Sequence, residues 1–182
     1  MMSRPVTAHL FHSVNGVVES PDQFQFDAFG ETEAELMGKA LAGVTDIVIG
    51  RVLWQEWSEY WPAAESDFFA DFINPAAKHV IASTLDGYLG WNSTLIDGDP
   101  VEYVRTLRAG DGGGITVAGG IETVRSLFLA GVVDALTLTV HPAVTGEGRR
   151  LFDETVPVTR IRLVDHAITP AGNAVLTYAL RD

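Results

Sequence analysis

Cysteine is missing altogether from this chain of 182 residues. That excludes disulfides, thiolate catalysis and cysteine-ligated metals, and it fits a reducing compartment. Positive charge is scarce: 12 lysines and arginines stand against 24 aspartates and glutamates, for a net charge of −12. Neutralising phosphates takes a basic face, so neither a nucleic acid nor an anionic membrane is an expected partner. The basic residues are scattered, with Arg149-Arg150 and Arg160/Arg162 as the local groupings. An anionic ligand would therefore depend on backbone N–H groups and a few placed side chains. Long apolar runs are lacking too; none approaches the ~20 residues of a membrane span. The opening stretch MMSRPVTAHLFHSV has no apolar signal-peptide core, so a cytoplasmic location is expected. Internal repeats and low-complexity linkers are absent, which points to a single domain over 1–182. What remains is ordinary globular material, 47% apolar and 20% charged.

The most informative stretch runs from Gly112 to Pro142. Ile115, Val117 and Ala118 form a short apolar run bounded by glycines on both sides, as a buried central strand does. From Ile121 the period becomes helical, with Val124, Leu127 and Phe128 on one face and Gly131 placed as a left-handed cap. Leu136, Leu138 and Val140 then alternate with Thr137, Thr139 and His141 in a second strand. This is a βαβ unit, whose crossover is right-handed. Gly119 and Gly120 lie at its first joint. Without Cβ atoms there, a ligand can lie against the backbone, and the helix beyond offers free N–H groups and the positive end of its dipole. Thr123 adds a hydroxyl. A tight turn without a ligand is the competing reading.

Other segments repeat the pattern. Asp46 to Gly50 reads as a buried strand leading directly into a helix over Arg51 to Tyr60, a second such joint. Lys78 to Ser83 reads as a third strand, with Ser83-Thr84 at its carboxyl end. Thr7 to Ser13 reads as the first strand, and Asn15-Gly16 as a turn before Val17-Val18 resume. Ser20 to Phe29 reads as a loop with three phenylalanines. Thr32 and Glu35 have capping-box spacing before a helix carrying Leu36, Met37, Ala40 and Leu41. Ser66 reads as the cap of a helix reaching Ile73. Asn92 to Ile96 reads as a short strand, and Asp99-Pro100 opens a helix to Leu107. Ile161 to Leu163 and Val175 to Leu180 form an antiparallel hairpin. Trp57 and Trp61 read as packing residues, whereas Trp54 stays open between packing and walling a flat heterocycle. The expected fold is α/β: a three-layer sandwich with a central mixed, mostly parallel sheet, helices on both faces and a C-terminal antiparallel hairpin. Ligands of such sheets sit outside the carboxyl ends of the parallel strands, where the three joints lie.

In this order SVNGVVESPD, DIVIGRVLW, KHVIAST, WNSTLI, the long run ITVAGGIETVRSLFLAGVVDALTLTVHPAVTGEGRRLF and a closing LTY resemble the dihydrofolate-reductase-like superfamily. The nearest branch is the group related to the reductase domain of bacterial riboflavin biosynthesis (the RibD C-terminal group). The resemblance implies an NADPH-dependent reductase, with NADH as the other option, often a homodimer, acting on a small pyrimidine- or pterin-like molecule. It implies that Gly119, Gly120, Ile121, Glu122 and Thr123 hold the diphosphate and that Gly50, Arg51 and Leu53 face the next phosphate. Ser83 and Thr84 would face the adenosine ribose and its 2′-phosphate, while Asn15, Gly16 and Trp54 border nicotinamide and substrate. Three positions depart from the family pattern. Leu53 replaces a threonine, Thr84 an arginine that would grip phosphate in a fork, and Asn15 an aspartate. The alternative is a non-catalytic module that keeps the cleft for a nucleotide or flavin-like ligand.

No catalytic acid or base is assigned. Asp22, Asp27 and Glu147 lie on loops able to reach the cleft, but solvated loop acids are the commoner case. His9 and His12 are three apart on a strand and face opposite sides, so they make no chelating pair. His141 reads as a packed, hydrogen-bonded residue. No metal site is expected.

Overall fold

The computed structural model describes residues 3–65 and 67–180. The strands are β1 Val6–Ser13, β2 Val44–Gly50, β3 Ala77–Ile81, β4 Ser93–Leu95, β5 Gly114–Val117, β6 Ala135–His141, β7 Ile161–Ile168 and β8 Ala174–Leu180. The helices are α1 Asp22–Gln25, α2 Glu31–Leu41, α3 Arg51–Tyr60, α4 Phe68–Ile73, α5 Pro100–Ala109 and α6 Ile121–Leu129. The strands form one 8-stranded sheet in the order β4-β3-β2-β5-β1-β6-β8-β7. Strands β1 to β6 pair in parallel, and β8 joins β6 and β7 antiparallel. The mixed sheet with a closing hairpin is the architecture expected from the sequence.

Connections from β1 to β2 and from β2 to β3 step one way across the sheet; those from β4 to β5 and β5 to β6 step the other way. Right-handed crossovers therefore place α2 to α4 on one face and α5 and α6 on the opposite face. Packing agrees. Val104 of α5 and Val124, Leu127 and Phe128 of α6 cluster on Val6, Ala8, Val48, Val117 and Leu136. Trp54 of α3 and Ile73 of α4 cluster on Ile47, Ile49 and Val80. Each fully buried aliphatic or aromatic side chain in these layers stabilises by about 1.5–3 kcal/mol.

Several boundaries follow from local chemistry. The Asp99 carboxylate accepts from the Glu102 N–H at 3.0 Å, with Pro100 in the first turn. Gly131, at φ 71°, ends α6 while the Val132 N–H returns to the Leu127 carbonyl. Other boundaries differ from the sequence reading. The cap of α2 is Gly30, and Glu33 rather than Glu35 reaches back to it, its carboxylate accepting from the Gly30 N–H at 3.0 Å. Thr32 lies inside the first turn, so its hydroxyl is not the cap. Asp67 caps α4 through the Phe69 N–H; Ser66 lies outside the described residues. The segment after Ser20 contains the single turn α1, and of its phenylalanines Phe24 alone is buried, Phe26 being 76% exposed. Val17 contributes one antiparallel bridge to Arg150 instead of a resumed strand.

The amino edge of the sheet is tied by charge. The Arg4 guanidinium pairs with Asp46, whose other oxygen lies 2.8 Å from His79 Nε2, and His79 Nδ1 lies 2.9 Å from the Tyr103 hydroxyl. Burial works to raise the Asp46 pKa, but hydrogen bonds from Thr45, His79 and Arg4 outweigh it and hold the carboxyl below its ordinary value. This network joins β2, β3 and α5 at the end of the sheet away from the glycine joints.

Candidate functional site

Because β3, β2 and β5 are adjacent and parallel, the residues that follow them emerge side by side on one edge. The Gly50 N–H donates to the Gly119 carbonyl at 3.3 Å, which joins two of the joints directly. A Cβ on Gly50 would lie 3.0 Å from Thr123 Oγ1, and a Cβ on Gly119 would lie 3.3 Å from Leu53 Cδ2. Gly119 also has φ 116°, a conformation that side chains resist. The amino ends of α3 and α6 thus lie side by side. Neither helix has a side-chain cap, so first-turn N–H groups of both remain available and both dipoles present their positive ends.

The flanking residues are placed as follows. Ser83 and Thr84 are exposed just beyond β3, which ends at Ile81 and not at Ser83. Arg51 opens α3, its Nη1 donating to Gln55 Oε1 at 2.8 Å. Leu53 is half-buried against Gly119. Ile121 is buried, Glu122 exposed and Thr123 intermediate. Gly50, Thr123, Gly119, Gly120 and Leu53 are brought together; Ser83 and Thr84 stand at the neighbouring strand tip.

Two residues assigned to the substrate are otherwise engaged. Trp54 is 8% exposed in the α3 core layer, and its indole N–H donates to Ser93 Oγ at 2.9 Å. It packs in the core cluster with Ile47, Ile49, Ile73 and Val80. Asn15 Oδ1 accepts from the Ser13 hydroxyl and the Thr145 N–H, and its Nδ2 donates to the Thr145 carbonyl at 2.7 Å. Its amide therefore staples the β1 turn to the loop after β6. Gly16, at φ 94°, makes room for Arg150, whose Nε donates to the Asn15 carbonyl. The loop acids Asp22, Asp27 and Glu147 are all exposed.

The histidines separate by face. His9 lies on the α2–α3 side, with Nε2 2.7 Å from Thr139 Oγ1. Burial, with a smaller contribution from nearby His141, pushes its pKa down to about 4. His12 is on the other side, and burial lowers its pKa as well. His141 is fully buried against Phe11 and Phe24, and among the described residues neither ring nitrogen has a hydrogen bond of good geometry, Asn173 being the polar neighbour that acts on it. Burial lowers its pKa against the opposing pull of Glu33 and Asn173. Among the described residues no group of three or more histidine and acidic side chains is placed to hold a metal ion. His9 carries no role in the sequence reading, although a histidine amid alternating polar positions of a central strand is a usable signal.

A mixed sheet of this order, helices on both faces and glycine joints gathered at the parallel strand tips define the dihydrofolate-reductase-like class. Dihydrofolate reductase from Enterococcus faecalis in complex with NADP(H) superposes with a TM-score of 0.62 at 16% identity, covering 100% of both chains. A Shewanella sp. PV-4 protein provisionally assigned to riboflavin biosynthesis superposes with a TM-score of 0.78 at 16% identity, again over 100% of each chain. The sequence matches the RibD C-terminal domain family over residues 4–176, and the chain belongs to that family. YyaP, an uncharacterized protein of Bacillus subtilis (strain 168), is 24% identical over 139 residues, 74% of this chain and 73% of its own. No helix among the described residues is long and apolar enough to cross a membrane.

Proposed function

We propose that this protein is an NAD(P)H-dependent reductase of a small pyrimidine- or pterin-like heterocycle. The observation that carries the reading is the Gly50–Gly119 contact, which sets two uncapped helix amino ends around one space lined by backbone. The chemistry of the joint supports a dinucleotide: the donors are N–H groups, the glycines let the backbone stand close to Thr123 and Leu53, and the Thr123 hydroxyl lies beside them. Gly119 to Thr123 would hold the diphosphate, with Gly50, Arg51 and the backbone of Leu53 on its other side and the hydroxyls of Ser83 and Thr84 toward the adenosine ribose. A reduced nicotinamide bound there supplies hydride; the chain binds, orients and shields. Family membership and the NADP(H) complex of the Enterococcus faecalis enzyme support the choice of cofactor. The cysteine-free composition supports a cytoplasmic setting. The half-exposed outer hairpin, with Leu163 50% and Ile168 71% exposed, supports a homodimer.

Titration with NADPH and with NADH, followed by quenching of tryptophan fluorescence, tests the reading. Saturable binding of at least one at sub-millimolar concentration is expected, and no saturation by either in the millimolar range refutes it. The non-catalytic alternative draws on Leu53, whose side chain stands against Gly119 where the family has a hydroxyl. It predicts thermal stabilisation by dinucleotide with no nicotinamide oxidation against any pterin or pyrimidine.

A further inference from the structure

The turn that follows β1 is held from one direction. The Val14 N–H donates to the Ala143 carbonyl at 2.8 Å, and the Val18 N–H to the Arg149 carbonyl at 3.0 Å. Val17 bridges Arg150, and the Arg149 N–H and Nε both donate to the Glu19 carboxylate. Asn15 is bonded to Thr145 and to Arg150. Among the described residues, every hydrogen bond that leaves positions 14–19 for a segment beyond β1 ends within 143–150. The fit is close as well. Arg150 Cδ lies 3.4 Å from where a Gly16 Cβ would be, and a Cβ on Gly148, at φ 123°, would lie 2.5 Å from Val17 Cγ1. Turn and loop form one unit.

That unit is anchored on α6. A cavity of about 230 Å³ is lined both by Ile121 and Glu122 in the first turn of α6 and by Gly148, Arg149 and Arg150 of the loop. Contact across it falls to a long side chain, and Arg125, which lines the same cavity, supplies it. Its Nε donates to the Leu151 carbonyl at 2.5 Å, its Nη2 to the Arg150 carbonyl at 3.1 Å, and its Nη1 pairs with Asp153 at 2.8 Å. The planar fork thus spends all three nitrogens on one short run of chain, a geometry that lysine does not offer. With 17% of its side chain exposed, Arg125 is partly shielded from the screening that weakens surface ion pairs. Leu151 and Phe152 pack into the α6 layer and fix where the loop ends. The two carbonyls held by Arg125 fix the direction in which the chain approaches that point.

We propose that Arg125 is a positioning residue: through the carbonyls of Arg150 and Leu151 it sets where the Asn15-Gly16 turn stands relative to the amino end of α6. The functional consequence rests on the reductase reading, in which α6 holds the diphosphate and the turn borders the nicotinamide. One guanidinium then spaces the two halves of the cofactor cleft.

Hydrogen exchange on the full chain without ligand tests the structural link. Calorimetry with NADPH and with 2′-phospho-ADP-ribose, the same molecule without its nicotinamide, tests the consequence. In Arg125→Met the Val18 and Arg149 amides should speed up by about tenfold more than the Ala118 amide, which is bonded to Val48 in the core of the sheet. NADPH affinity should fall by about tenfold, the loss of one or two hydrogen bonds at the turn, while 2′-phospho-ADP-ribose stays within about twofold. A merely structural arginine would weaken both probes alike. Arg125→Lys keeps the charge without the fork and should retain part of each effect. Gly148→Ala drives a methyl against Val17 and parts the turn from the loop without touching α6. It should reproduce the selective loss of NADPH, also where Arg125→Met does not fold, and should add little to Arg125→Met when combined with it. Unaltered exchange at Val18 and Arg149, equal losses for the two probes, or full additivity overturns the proposal. If the natural protein binds neither probe, the reductase reading falls, while faster exchange at the turn in Arg125→Met still upholds the positioning role and unchanged exchange removes it.

Discussion

Lys78 offers the sharpest test of the energetics. It lies on β3 with no solvent exposure, its Nζ donating to the Asn74 carbonyl at 2.9 Å and sitting 4.1 Å from the centroid of the Trp91 ring. A helix-terminal carbonyl and an indole face are favourable neighbours for an ammonium, but they replace its hydration shell only in part. Burial accordingly lowers the pKa from 10.5 to about 8. Between those values the folded chain has released a proton that the unfolded chain retains, so stability must rise with pH across that window. The gap corresponds to about 3 kcal/mol, or about 6–12 °C in Tm for a chain of this size. Below pH 8 the whole penalty is present, and above 10.5 none of it is. Lys78→Met fills the same space without the charge, so its stability should lack this rise. Urea denaturation of both proteins from pH 7 to pH 10.5 measures the difference, and the Tyr103 titration, raised by burial and by Asp46, cancels between them. Parallel pH profiles for the two proteins would refute the reasoning.

Three further outcomes follow from named contacts. Gly50 has φ −76°, so Gly50→Ala should fold normally while its methyl, set 3.0 Å from Thr123 Oγ1, weakens dinucleotide binding at least tenfold by calorimetry; Gly119→Ala, at φ 116°, should in addition lose about 1–3 kcal/mol in denaturation. Asp46→Asn leaves the buried Arg4 guanidinium without its counter-charge and should cost about 3–5 kcal/mol in urea denaturation, with cofactor affinity unchanged because the network lies at the opposite edge of the sheet. Burial works to raise the Glu33 pKa, but hydrogen bonds from Thr169, Asn173, Glu33 itself and Gly30 outweigh it and leave it below 4.5; its stabilisation should be complete above that value and fade as pH falls through the folded pKa, an acid limb that Glu33→Gln lacks in pH-dependent thermal melts.

The fold was legible because each βα joint announces itself locally. DIVIG ends in a glycine before RVLW, ITVA ends in Gly119-Gly120 before a helical period, and the hairpin alternates cleanly. Those features concern neighbours in the chain, which local sequence records well. The contents of the site depend on partners far apart in sequence, which it does not record. Asn15 looks like a residue exposed by its turn until Thr145 is seen across from it. Trp54 looks equally suited to a pocket wall and to a core, and its bond to Ser93 and its place among Ile47, Ile49 and Val80 are visible only once the chain is folded. The capping spacing of Thr32 and Glu35 is genuine as a pattern, but Glu33 wins because Asn173 holds its carboxylate at the helix start. His9 was readable in principle: the alternation of VTAHLFH on a strand that ought to be covered on both sides already marks one side as polar.

The glycine joint has an evolutionary consequence. Groups that every amino acid possesses cannot be mutated away, so a grip made of main-chain amides stays intact while the side chains around it are exchanged. If the joint holds a dinucleotide as proposed, the feature that matters most for that grip is the missing methyl at Gly50 and Gly119. On that reading leucine for threonine at position 53 and asparagine for aspartate at position 15 leave the grip in place, and the fold itself superposes on a protein only 16% identical. New specificities can arise by redecorating the rim, with the anchor inherited unaltered.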